Sequence, residues 1–132
     1  MTRFLLILLI HMLGDFFFQG DNMIWLKYFR LKSLFGHSFI YFICLLLFSP
    51  LLLQIPFWYC LLFAVVNGLL HLGVDYYTGV LRKKYWEKDE TMYATIMGID
   101  QVAHIACLVV SFLMIVPDGF HYISPYYELL PY

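Results

Sequence analysis

Charge is what this sequence has least of. Only 13% of its 132 residues are Asp, Glu, Lys or Arg, about half the share of a soluble domain. The net charge of -1 says nothing useful about partners, because the charges are segregated along the chain. No Walker loop, GxSxG elbow or helix–turn–helix is present, and nucleic-acid binding has no support. Cysteine is scarce. Cys44, Cys60 and Cys107 show no paired metal-ligand spacing and read as small buried apolar residues. The first apolar run lacks a small-residue cleavage site and carries His11 and Asp15, so it is expected to stay as a helix rather than be removed as a signal peptide.

In place of charge stand long apolar runs. The chain is 63% hydrophobic, with mean hydropathy +0.79. This predicts an all-α integral membrane protein, residues 1–132 forming one four-helix transmembrane bundle. Hydropathy places the spans at about 4–19, 34–54, 57–81 and 95–116. Pro50 interrupts the second late, and Pro117 closes the fourth. Residues 23–35 mix Trp25, Tyr28 and Phe29 with Lys27, Arg30 and Lys32. They read as an interfacial amphipathic segment or an extension of span one, its cations either snorkelling to anionic headgroups or contacting a phosphorylated substrate. The tail, 120–132, has four tyrosines and reads as an aromatic interface anchor; His121 lies there, away from the other histidines.

Lysine and arginine set the topology. Loop one carries Lys27, Arg30 and Lys32, and loop three carries Arg82, Lys83, Lys84 and Lys88. The second loop has no charge, and the tail has neither Lys nor Arg. The positive-inside rule then predicts a multi-pass inner-membrane protein with both termini outside and these cations in the cytoplasm, Arg82, Lys83 and Lys84 serving topology alone.

Seven ionisable residues nevertheless fall inside the spans. His11 and Asp15, His71 and Asp75, and Asp100 and His104 are each four apart, and His37 stands alone. A spacing of four puts both members on one helical face, roughly 6 Å apart along the axis. Counted from the span ends, all seven lie within roughly 16 Å of the cytoplasmic side, although the helices alternate in direction. Groups this costly in hydrocarbon are rarely placed there without a function. HMLGDFF at 11–17 and HLGVDYY at 71–77 share one format, which raises a duplicated helical hairpin as an origin.

Imidazole with carboxylate suits Zn, Mn or Fe. Seven ligands exceed one tetrahedral site and fit two divalent ions with a bridging Asp. Metal ligands are therefore expected at His11, Asp15, His37, His71, Asp75, Asp100 and His104, with Asp15, Asp75 and Asp100 catalytic. Gln19 and Gln101 are expected to orient ligands or substrate. Three other readings stay open: hydrogen bonds that merely tie helices together, an ion, proton or metal transport path, and a non-haem iron oxidase. A transport path should spread polar residues across the whole bilayer, whereas the outer half has only Asn67 and Ser111.

The motifs HxxGDFxxQ from His11, the lone His37, HxxxDY from His71 and DQxxH from Asp100 resemble a small bacterial and phage membrane family, a domain of unknown function. The resemblance runs through essentially the whole chain and picks out the same nine residues, His11, Asp15, Gln19, His37, His71, Asp75, Asp100, Gln101 and His104. It brings no activity. A looser similarity runs to membrane-bound metal-dependent hydrolases, which implies metal-assisted hydrolysis of a phosphoester or acyl ester. The partner would be a membrane lipid or amphipathic small molecule, and the protein could also oligomerise.

Overall fold

A computed structural model describes residues 2–18, 26–27 and 30–116 of the chain. Among these, α1 (Thr2–Met12) runs into a π-helical turn at Leu13–Phe17. It is followed by α2 (Leu31–Leu53), α3 (Phe57–Tyr85) and α4 (Glu90–Ile115), and the described residues form no strand. The all-α, four-helix expectation holds. Gln19, Trp25, Tyr28, Phe29 and the tyrosine-rich tail lie outside the described residues.

Three helices are long and apolar enough to cross a membrane. At 1.5 Å per residue, α2, α3 and α4 reach roughly 35–44 Å, against a hydrocarbon thickness of about 30 Å. The apolar stretch Phe4–Phe17 is shorter, about 21 Å. The helices outrun the predicted spans for local reasons. The Asp89 side chain accepts a hydrogen bond from the Met92 amide at 2.9 Å and caps α4 several residues before the apolar run begins. The cations Arg82, Lys83 and Lys84 sit in the last turn of α3, where the helix dipole favours positive charge. Pro50 does not end α2, which continues to Leu53 and closes at Gln54 in a left-handed conformation, φ 56°.

The interior is inverted relative to a water-soluble protein. Among the described residues, fourteen buried side chains are hydrophobic and fourteen are polar or charged, while Leu69, Val102 and Met114 are more than half exposed. Water-soluble cores leave few such polar groups inside. This surface is matched to hydrocarbon, and the chain is a membrane-helix bundle.

Neighbouring helices pack in chain order, α1 on α2, α2 on α3 and α3 on α4. Side chains join α1 to α4. Phe4 meets Phe112 edge-on at 5.6 Å, and the His11 and His104 rings lie 5.6 Å apart. The two ends of the bundle differ. At the end where α1 and α3 start, Ile7, Leu45, Phe63, Leu108 and Phe112 form a fully buried apolar layer. At the opposite end the polar residues converge.

Candidate metal centre

Each helix contributes from one stripe. On α3 the stripe is His71, Asp75, Thr78 and Arg82, all buried, at offsets of four, seven and eleven. α2 supplies His37 and Tyr41, one turn apart, and α4 supplies Asp100, Gln101 and His104. The first helix supplies His11 and Asp15. Every one of the seven predicted His and Asp residues is at most 2% exposed.

Four of the seven meet at a point. His37 Nε2 lies 2.9 Å from His71 Nε2, 3.1 Å from Asp15 Oδ1 and 3.2 Å from Asp75 Oδ2. His71 Nε2 lies 3.6 Å from Asp15 Oδ1 and 3.5 Å from Asp75 Oδ2. Four N/O ligands held tetrahedrally at 2.0–2.1 Å from one ion stand about 3.3 Å apart. The five separations scatter around that value, so the residues present fit a tetrahedral ion. Asp75, Asp100 and His104 form a second group with ligand atoms close enough to share an ion. Asp75 is common to both, the position expected of a bridging carboxylate.

The π-turn sets Asp15 apart from His11. The Phe18 amide bonds the Leu13 carbonyl at 2.9 Å, five residues back, so the backbone is wound more widely there than in an α-helix. His11 and Asp15 consequently have different partners. His11 Nδ1 hydrogen-bonds the Tyr41 hydroxyl at 3.1 Å, while Asp15 joins His37 and accepts a 2.8 Å bond from Gln101. Asp75 is carried on unbroken α-helix, so the two His–Asp motifs differ in backbone. Gly14 lies inside the π-turn, and a Cβ added to it would come within 3.0 Å of the Tyr41 ring. The same Tyr41 ring stacks on His71 at 4.0 Å and 9°.

Two cations take roles other than those expected. Lys27 is only 6% exposed. Its Nζ lies 3.2 Å from Asp75 Oδ2, 3.2 Å from His37 Nε2 and 3.6 Å from Asp15 Oδ1, inside the cluster rather than at a headgroup. Arg82 does more than orient the chain. It is buried and donates to Asp100 Oδ2 at 3.0 Å, while the Thr78 hydroxyl donates to Asp100 Oδ1. Gln101 also reaches Asp100, at 3.3 Å, and so ties Asp15 to it.

The predicted ligands outside the four-atom group are placed close to it. The His104 ring is 4.2 Å from the His71 ring. Neither of its nitrogens, nor His11 Nε2, has a hydrogen-bond partner among the described residues. Buried nitrogens of this kind are costly unless something ligates them. Lys27, Arg82, Thr78 and Tyr41 are the residues of the site that the sequence reading left out.

Fold and site together define a helical membrane-type bundle whose buried His/Asp cluster could hold a metal ion. The chain belongs to the family described as Protein of unknown function (DUF3307), which matches residues 3–128. All the motifs quoted above lie within that match. No curated protein and no solved structure matches the chain.

Proposed function

We propose that the protein is a metal-dependent membrane hydrolase acting on a lipid-like or phosphorylated amphipathic substrate. The observation that carries this reading is the near-tetrahedral convergence of His37, His71, Asp15 and Asp75. These four would hold one Zn, Mn or Fe ion, and Asp75 with Asp100 and His104 a second. Such ions supply Lewis acidity and make water nucleophilic near neutral pH. The chain's own residues hold the arrangement. Tyr41 fixes the planes of His71 and His11, and Gln101 fixes Asp15 against Asp100. Asp15, Asp75 and Asp100 are the carboxylates available to take a proton.

One feature favours hydrolysis over transport. A path across the bundle needs polar groups at both ends. Here the far end is filled by the Phe63, Leu108 and Phe112 layer. The buried polar groups of that half, Ser49, Asn67 and Ser111, are satisfied locally, the Ser49 hydroxyl by donating to the Leu45 carbonyl. The Ser111 hydroxyl donates to Asn67 Oδ1 at 2.9 Å, and Asn67 Nδ2 donates to the Phe63 carbonyl at 2.8 Å.

The deciding measurement sets ion and proton flux in proteoliposomes beside a phosphatase and lipase screen on membrane lipids. Turnover without flux is expected, and Asn67→Ala should leave it within about twofold, since it loses one satisfied interhelical bond of about 0.6 kcal/mol. Robust flux without turnover would favour the transporter.

We further propose that the polar end faces the cytoplasm of the inner membrane and that both termini lie outside, from the Lys and Arg asymmetry of the loops. Cysteine labelling of intact cells should modify Glu128→Cys and spare Lys84→Cys. The reverse pattern would place the site at the opposite leaflet.

A further inference from the structure

We infer that an anionic phospholipid enters the centre sideways between α2 and α3, with its phosphate at Arg30. A cleft of about 80 Å³ opens there, lined by Asp75 of the His/Asp cluster, by Lys27 and Arg30, and by Leu31, Leu34 and Tyr76. Leu31 and Tyr76 are exposed on the surface matched to hydrocarbon. The cleft therefore connects that surface to the site, and not only the loop end of the bundle.

The same seam continues as an apolar groove of about 260 Å³. Phe35, Phe39 and Phe42 of α2 face Val65, Leu69 and Leu72 of α3 along it. From Leu34 to Phe42 the seam descends about 12 Å, the direction an acyl chain takes below its headgroup. A second apolar groove, between Leu70 and Val66 of α3 and Val110 and Met114 of α4, has no charged residue in its lining. Along the α2/α3 seam a groove, cations and the cluster meet.

The charge pattern selects the headgroup. Seven of the eight Lys and Arg residues belong to the loop segments at this end of the bundle, Arg3 being the exception. Arg30 and Lys32 are exposed, and a guanidinium pairs its donors with phosphate oxygens. The occupant is a phospholipid with an anionic headgroup, such as a phosphomonoester, rather than one whose choline cancels the phosphate charge.

Binding does not depend on the hydrolase reading, and the choice of this lipid as substrate rests on it. Protein purified in detergent is mixed with phosphatidic acid, with phosphatidylcholine of the same chains, or with inorganic phosphate, and retention is read by native mass spectrometry. Phosphatidic acid should be held at least about fivefold better than phosphatidylcholine, and inorganic phosphate should not be held. Arg30→Gln should weaken phosphatidic acid retention by about fivefold, the worth of one basic residue at an anionic lipid surface. Leu72→Trp, which fills the groove, should weaken it too, and Met114→Trp on α4 should not. Equal retention of the two lipids, retention of free phosphate, or indifference to both Arg30→Gln and Leu72→Trp overturns the entry route. Turnover is scored in the same samples. Phosphatidic acid that binds but is not cleaved with Zn, Mn or Fe removes the hydrolase and leaves the entry route. Cleavage of phosphatidylcholine, unaffected by Arg30→Gln, removes the entry route and leaves the hydrolase.

Discussion

Asp75→Asn is expected to strip the purified protein of bound metal and of turnover together. Wild-type protein should retain about one to two equivalents of a transition metal by elemental analysis, the number its ligand groups can hold. Asp75 belongs to both groups, so its loss removes a ligand from each. Asparagine keeps the shape but lacks the charge, and retention should fall by at least about tenfold, the low end for removing even an outer support of a metal site. Lys27 is the rival cation, because its ammonium already reaches Asp75, His37 and Asp15. Lys27→Met separates the two accounts. Metal retention that survives or rises in this variant supports a metal centre. Metal-free wild-type protein, with a sharp loss of thermal stability in Lys27→Met, makes the cluster a salt-bridge network.

The second large effect is expected at Arg82. Its guanidinium donates to Asp100 in a buried pair that is at most 6% exposed on either side. Removing one partner of such a pair costs about 3–5 kcal/mol, because the other charge is left buried. Arg82→Met should therefore lower the melting temperature in detergent by more than an exposed Lys change in the same turn of α3, such as Lys83→Met. Adding Asp100→Asn should recover part of the loss, since the stranded charge is then gone. A melting temperature unchanged by Arg82→Met would return Arg82 to a purely topological role.

What could be read in advance follows from range. Four-residue spacing is a local property, so the His–Asp pairs and their shared level could be found without coordinates. The helices were legible as apolar runs, but their ends were not, because Asp89 caps α4 and the cations extend α3 outside the hydropathic signal. Lys27 and Arg82 were missed for a different reason. For Arg82 orientation is a sufficient explanation, and for Lys27 contact with a headgroup or a phosphorylated substrate is. For Arg82 a signal existed, since His71, Asp75, Thr78 and Arg82 fall on one stripe of α3. Tyr41 likewise stands one turn beyond His37. The π-turn offered only Gly14. Lys27 joins the cluster through tertiary contact that its own neighbours in sequence do not announce.

The inverted interior has a consequence for how the chain assembles. In a bilayer, one leucine-covered helix can slide past another with little change in energy, because lipid tails are as apolar as the side chains they replace. What distinguishes the right vertical offset is the set of inward polar groups. Moving α3 by one turn, about 5.4 Å, would carry Asp75 away from His37 and Lys27 and Arg82 away from Asp100. These contacts act as pins that hold four otherwise slippery rods in register. The same side chains thus serve as the assembly code and as the chemical centre, and the two selections fall on one short list of positions.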